Sequence, residues 1–299
     1  MPRVRVVHTT EYRYRKPVRL TAHRLMLRPR DSHDLSLLDA TLSLSPPSAS
    51  TRWAHDVFGN SIAYIQFGDR QVELLRIISR LDLEHYPTAA EVPLDPAARV
   101  YPFNYAEIEV PDLAADLERL HPDPDGVVDQ WAARFVSSDG TRTLDLLQAM
   151  TSAIKDEFRY EARDEEGTHP PLVTLATGAG ACRDFALLMM EAARSLGMAA
   201  RFISGYLYDG ALTAADAPVV GGGASHAWCA IYLPGAGWVE FDPTNGLIAG
   251  RNLIRVSVAR TPAQAVPIGG GYLGEPEDFA GMRVDVSVLV GDAAQQAGG

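Results

Sequence analysis

The sequence predicts an α+β chain in two parts: a mostly β, sandwich-like region over residues 1–95 and a mixed region over 96–299. Three observations carry this. Short runs of alternating polarity recur through residues 1–90, and helical spacing takes over from Pro111. A glycine-rich turn then leads into a helix with a cysteine at its mouth, and later strands carry a histidine and an aspartate.

In the first part, Val4, Val6, His8, Thr10, Tyr12 and Tyr14 alternate with Arg5, Val7, Thr9, Glu11 and Arg13, a period of two. Strand-like runs follow near 22–28, 36–44, 61–67 and 72–83. Turn signals separate them: Arg30-Asp31-Ser32, Ser45-Pro46-Pro47, Phe58-Gly59-Asn60 and Gly68-Asp69. Regular short strands so punctuated point to a sandwich. His8, His23 and His55 have no partners at metal-ligand spacing, so packing or surface roles fit them better. Arg24, Arg28 and Arg30 read as a solvated strand edge rather than an anion site.

Residues 91–110 form a proline-containing connection, and 111–158 read as three helices broken by His121-Pro-Asp-Pro-Asp-Gly126 and a further turn. After a loop over 161–181 comes the cysteine helix, in which Phe185, Leu188, Met189, Ala192 and Leu196 line one apolar face and Gly197 marks the stop. Strands follow at 199–208, 225–233 and 238–244, the last two joined by Pro234-Gly-Ala-Gly237 as a hairpin. A Gly/Ala loop over 209–224, with Gly221-Gly222-Gly223, separates the first two. The core is thus set at 159–250, with C-terminal strands over 251–290 assigned to the same domain and a frayed tail from 292.

Net charge is −11, divided as +4 over residues 1–90 and −15 over the remainder. Without a concentrated basic surface a nucleic-acid partner is not expected. No apolar run reaches the roughly 18 residues of a membrane span, and the start shows no signal-peptide pattern, so a cytoplasmic protein with no membrane partner is expected. Two cysteines build no disulfide framework. Gly178-Ala-Gly180 lacks the further glycine of a phosphate cradle, and no zinc or calcium pattern occurs, so no cofactor or metal is expected.

What stands out is Cys182, His226 and Asp242, in that order. A thiol at a helix N-terminus is biased toward thiolate by the unpaired N–H groups, which also suit an oxyanion. A hairpin brings His226 and Asp242 side by side, so that the carboxylate takes one imidazole nitrogen and the other faces Cys182. Singly, each has a plainer reading: a small buried cysteine, a core histidine, a turn carboxylate before Pro243. Order and spacing together favour nucleophile, base and orienter. Cys229 lies three positions past His226, so it points to the opposite face and reads as packing; a Cys182–Cys229 redox link is disfavoured.

At these residues the sequence resembles the transglutaminase-like superfamily, in its bacterial form with an extra N-terminal domain. The resemblance rests on Gly180-Ala-Cys182-Arg-Asp184-Phe185-Ala186, Ala200-Arg-Phe-Ile-Ser-Gly-Tyr206, His226-Ala-Trp228 and Trp238-Val-Glu-Phe-Asp242-Pro-Thr-Asn245. It extends to His8-Thr-Thr-Glu-Tyr-Arg-Tyr, Leu27-Arg-Pro-Arg30 and Asp56-Val-Phe-Gly-Asn60. It implies a papain-like core with the cysteine helix packed on an antiparallel sheet, Cys182 as nucleophile, His226 as general acid/base and Asp242 as orienter. Where the family commonly has Gln after the cysteine, this chain has Arg183; it has Ala230 where Glu is frequent and Arg260-Thr-Pro262 where Arg-Asp-Tyr is frequent. These departures bear on substrate contacts and leave the three residues intact. Tyr160 is the side chain considered for a second oxyanion donor, and Asp184 reads as complementing the helix dipole. The expected activity is acyl transfer from a protein or peptide amide through a thioester, hydrolytic in preference. Amine transfer to glutamine is the alternative, and a catalytically silent scaffold the alternative of another class. Oligomeric state is not legible.

Overall fold

The computed structural model describes residues 3–86, 91–163, 166–208, 225–248 and 252–290. In it, the first alternating run forms strand β1 (Arg3–Leu20), burying Val4, Val6, His8 and Thr10 and leaving the residues between them half-buried. There follow β2 (His23–Arg28), β3 (Leu35–Ser45), β4 (Ser50–His55), β5 (Ser61–Gln66) and β6 (Gln71–His85). β6 pairs with β1 and β3 in one antiparallel sheet, and β5 pairs with β2 and β4 in another. The sheets enclose Tyr14, Val18, Leu25, Ile65, Leu75 and Ile77, which makes the predicted sandwich, with β4 as a strand beyond those anticipated.

The middle of the chain runs β7 (Val100–Tyr101), α1 (Val110–Leu117), α2 (Val127–Ala133), β8 (Thr141–Arg142), α3 (Thr143–Glu157), β9 (Arg159–Tyr160), α4 (Pro171–Thr177), β10 (Ala179–Gly180) and α5 (Cys182–Ser195). The stretch 161–181, expected to be loop, holds α4: Pro171 sits at its first position, where no N–H is needed, and Gly178 at φ 59° ends it. Then β11 (Ala200–Leu207), β12 (His226–Leu233), β13 (Gly237–Asp242), β14 (Leu247–Ile248) and β15 (Leu253–Ala259) form an antiparallel sheet in the order β14-β13-β12-β11-β15. The glycine-rich loop 209–224 and the tail from 292 lie outside the described residues. Among those described, no helix is long and apolar enough to cross a bilayer.

α5 covers one face of this sheet, where Phe185, Leu188 and Met189 share a core with Phe202, Ile231 and Phe241. The other face carries Tyr206, Tyr208, Ile254 and Val256, which pack against Val4, Leu81 and Leu83 of the N-terminal sheet. The N-terminal region thus backs the core sheet directly. Asn60 extends that contact by mimicking a strand at the edge of β15: its side-chain amide donates to Val258 O at 2.7 Å and accepts from Val258 N at 2.9 Å. Asp56 holds Asn60 by accepting from its side-chain amide and its backbone N–H, each at 2.8 Å.

The C-terminal assignment needs correction. β15 joins the core sheet, but β16 (Ile268–Gly269) pairs with β2, β17 (Tyr272–Leu273) with the end of β1, and β18 (Phe279–Val290) with β1 from Val4–Val290 to Tyr14–Phe279. The alternation of Met282, Val284, Val286, Val288 and Val290 specifies a strand with one apolar face but not the edge it caps. β1 has β6 on one side only, and β18 covers its other row of unpaired amides and carbonyls.

His8 and His85, read from sequence as without partners at ligand spacing in the first case, are buried at the contact between the two regions. His8 Nδ1 lies 2.9 Å from the Tyr206 hydroxyl, and His85 Nδ1 lies 2.8 Å from that of Tyr208. Burial pushes the His8 pKa down to about 4, so the ring is neutral at pH 7. Tyr206→Phe, which leaves Nδ1 buried and unpaired, is expected to cost about 1–3 kcal/mol, measured by urea denaturation at pH 7.

Candidate active site

The site assembles from element ends. Cys182 is the first residue of α5 and His226 the first of β12, so the start of the helix and the start of the strand meet. In the β12–β13 register Cys229 faces Phe241 and Ala230 faces Glu240. His226 and Asp242 are therefore diagonal neighbours, a separation that side chains of this length span.

His226 Nε2 lies 2.9 Å from Asp242 Oδ2, both side chains fully buried. With the carboxylate accepting, Nε2 carries the hydrogen and Nδ1 is the nitrogen left for the thiol. Nδ1 is buried and has no hydrogen-bond partner among the described residues. Burial by itself lowers the imidazole pKa. The charge and hydrogen bond of Asp242, with a further contribution from the neighbouring Cys182, overcome it and raise the value to about 10. Cys182 is near enough to the ring to add to that shift, and thiol–imidazole bonds at such sites are often long until substrate binds.

Asp242 is itself held in place. Burial pushes its pKa up, but His226, the Asn245 side chain and the Thr244 amide together keep it below the ordinary carboxylate range. Asn245 Nδ2 donates to Oδ2 at 2.8 Å and the Thr244 N–H to Oδ1 at 3.0 Å. The plain reading of Asp242 as a turn carboxylate accounts for one oxygen, which accepts from the Thr244 N–H after Pro243, while the other faces the imidazole. Asn245 was visible in the Asp242-Pro-Thr-Asn245 run, but nothing in the spacing assigned it this bond.

The start of α5 is built around Asp184. Its Oδ2 accepts from the N–H of Ala181 at 2.9 Å, capping the helix, and its Oδ1 accepts from the His169 N–H at 2.7 Å and from Arg163 at 3.0 Å. That bears out the structural reading of Asp184. Gly180 is required here, since an added Cβ would come within 2.9 Å of Asp184 Cβ and 3.2 Å of the Phe185 ring. Arg183, at the position where Gln is common, donates to the carbonyls of Gly167 at 2.6 Å and Arg163 at 3.1 Å. It thereby ties the segment before α4 to the helix mouth.

Tyr160 pairs in register with Gly180 across β9–β10, and its ring meets Phe185 at 6.4 Å between centroids. Burial pushes its phenol up to about 12, with the adjacent Cys182 and Asp242 adding to the shift and Arg183 opposing it. The hydroxyl is thus neutral and in the electrostatic field of the thiol. The two cysteines differ in setting. Cys182 keeps 9% exposure; Cys229 has none, lies among the residues facing α5, and donates to Phe241 O at 3.5 Å. Burial raises the Cys229 thiol pKa, which makes it inert.

The raised imidazole and lowered carboxylate carry a sign. The His226 share of stability is complete below about pH 6.5 and is lost as pH rises toward 10. The Asp242 share is complete above about pH 4 and is lost as pH falls through its depressed value. The stability gap between the wild type and Asp242→Asn is therefore expected to be widest between about pH 4 and 6.5 and to narrow on the alkaline side. Urea titrations giving a gap that does not change from neutral to alkaline pH would show that the pair is not ionised.

With this geometry in hand, comparison with known proteins is direct. Residues 4–84 match the bacterial transglutaminase-like N-terminal region and residues 129–243 match the transglutaminase-like superfamily. Uncharacterized proteins of Mycobacterium tuberculosis and Mycobacterium leprae are 27% and 25% identical, each over 97% of this chain and over 94% and 100% of their own lengths. A solved structure from Cytophaga hutchinsonii, described provisionally as a cysteine protease, shares the fold with a TM-score of 0.70 at 18% identity, over 97% of this chain and 92% of that one. The N-terminal match, the core match and the shared whole-chain fold agree: the chain belongs to the transglutaminase-like superfamily, in the form that carries the bacterial N-terminal region.

Proposed function

We propose that this protein is a cysteine acyl-transfer enzyme in which Cys182 is the nucleophile, His226 the general acid/base and Asp242 the orienter, and that water is its preferred acyl acceptor. The observation that carries the reading is the His226–Asp242 bond of 2.9 Å on a ring whose other nitrogen is left for a thiol at the first position of a helix. The superfamily membership and the provisional protease assignment of the Cytophaga structure support it.

Nδ1 of the imidazolium already holds the proton given up by the thiol, and the thiolate attacks the amide carbonyl. The tetrahedral oxyanion is met by the unpaired amides at the start of α5, with Tyr160 as the neighbouring hydroxyl donor. The carbon–nitrogen bond then breaks, the imidazolium gives its proton to the departing amine, and a thioester remains. Water attacks the thioester while His226 takes its proton, and the tetrahedral species collapses to release the acid and restore the thiolate beside the imidazolium. Asp242 stays ionised and holds Nε2–H throughout. The substrate in this reading is a protein or peptide, and no cofactor takes part. Arg183, committed to two backbone carbonyls, is a shaping residue at the rim rather than a free cation awaiting substrate.

The test incubates the protein with a glutamine-containing polypeptide and an isotopically labelled primary amine, read by mass spectrometry. New peptide termini or deamidated glutamine without label are expected, and both are expected to fall by about 10⁴-fold or more in Cys182→Ala. Label on glutamine would replace water by amine as the acceptor. Iodoacetamide labelling supplies the control against a silent scaffold: Cys182 is expected to react at pH 6 in the wild type and not in His226→Ala. Equal, slow labelling of both would sink the enzymatic reading.

A further inference from the structure

Two residues along the same hairpin, the His226–Asp242 pair is repeated. Trp228 Nε1 donates to Glu240 Oε2 at 2.9 Å, across the same diagonal of β12 and β13. The indole lies nearly parallel to the imidazole, with ring centroids 5.9 Å apart and planes at 26°. Trp228 is wholly buried, and the space for its ring exists because residue 205 is glycine. A Cβ there would come within 2.7 Å of the indole and 2.1 Å of the Ile254 carbonyl. Gly205 is also the β11 partner of His226 on one side and of Arg255 on the other.

Glu240 would be an uncompensated buried carboxylate but for Arg255. That guanidinium donates to Glu240 Oε1 through Nη1 and, through Nη2, to both oxygens of Asp34 at 3.1 Å. Asp34 belongs to the N-terminal region, just before β3, and sits at the contact between the two regions. A continuous chain therefore runs from the N-terminal region to the imidazole: carboxylate, guanidinium, carboxylate, indole. Every link is a named hydrogen bond, an ion pair or a ring contact.

We infer that Trp228 is a positioning residue for His226, and that the N-terminal region takes part in the site by clamping Trp228 through Asp34, Arg255 and Glu240. This rests on the reading of Cys182, His226 and Asp242 as a catalytic triad. The physical case is one of constraint. Asp242 fixes one atom of the imidazole but leaves rotation about that hydrogen bond. A flat indole alongside removes this freedom only if the indole is itself fixed. An N–H bonded to a carboxylate held by a bifurcated guanidinium supplies that fixity, because arginine presents its donors in a rigid planar fork. The clamp also gives the N-terminal region a task at the site that packing alone does not.

The experiment follows two signals in the full chain, for the wild type and for Trp228→Phe, Glu240→Gln and Asp34→Asn. One is the pH profile of Cys182 alkylation by iodoacetamide, read on intact mass. The other is the His226 ring resonances in nitrogen-15 histidine spectra. Trp228→Phe is expected to slow alkylation at pH 6 by about tenfold, equivalent to a one-unit displacement of the profile. Glu240→Gln and Asp34→Asn are expected to move it the same way by less. All three are expected to shift the His226 resonances while those of the remote His121 stay put. Asp34→Asn, which alters only the rim of the chain, serves where a core variant does not fold. A lower melting temperature with both signals unchanged would make the network structural only and overturn the inference. A wild type that does not react at pH 6 would instead refute the cysteine-nucleophile reading. In that event the His226 resonances decide the clamp alone, supporting it if Asp34→Asn moves them and overturning it if not.

Discussion

The bond between His226 and Asp242 is the constraint on which the rest of the site depends. It commits Nε2, so that Nδ1 is the nitrogen left toward the thiol. It also compensates two ionisable groups that would each be costly to bury alone. The sign of the outcome is informative. Burial disfavours both charged forms, yet the imidazole is raised and the carboxylate lowered, so mutual attraction prevails over desolvation. Asn245 and the turn after Pro243 then decide which oxygen of Asp242 is available to the ring.

The fold delivers these groups by placing them at the ends of its stiffest elements. α5 is buried almost all round, and its polar residues are paired inside the protein: Asp184 caps the start, while Glu191 and Arg194 form an ion pair with no exposure at 2.9 Å. Arg194 also donates to the carbonyls of Asp116, Ala200 and Arg260, so the last turn of α5 is tied to β11 and to the end of β15. A helix anchored at both ends holds its first residue still, and that residue is Cys182.

The two regions of the chain are not independent bodies joined by a tether. Packing between the N-terminal sheet and the back of the core sheet, the histidine–tyrosine bonds across it, the Asn60 staple on β15 and the return of the C-terminal strand to β1 make one continuous structure. The basic balance of the first ninety residues and the acidic balance of the rest have a local counterpart in Asp34–Arg255, but the signs there are reversed. Complementarity is arranged side chain by side chain and not by the net field of each region.

Much of this was legible beforehand. Periodicity of two reported β1, β3, β5 and β6; the spacing of Phe185, Leu188, Met189 and Ala192 reported α5 and its buried face; the hairpin turn at 234–237 reported that His226 and Asp242 would meet. These are local properties, set within a few residues by side-chain alternation, capping and turn chemistry. What local pattern does not contain is the choice of partner. The alternation in β18 is equally compatible with any unpaired edge, and only the folded sandwich shows that β1 had one to offer. His8 and His85 became buried acceptors or donors because tyrosines 198 and 123 residues away arrived opposite them. Trp228 and Glu240 share the hairpin, but Arg255 and Asp34 stand 221 residues apart, and nothing in the spacing links them to it or to each other. The sequence by itself determined most of the elements and the candidate reactive groups, because those follow from neighbours along the chain. Tertiary structure alone decided which strands close the sheets and what holds the imidazole plane, because those follow from neighbours in space.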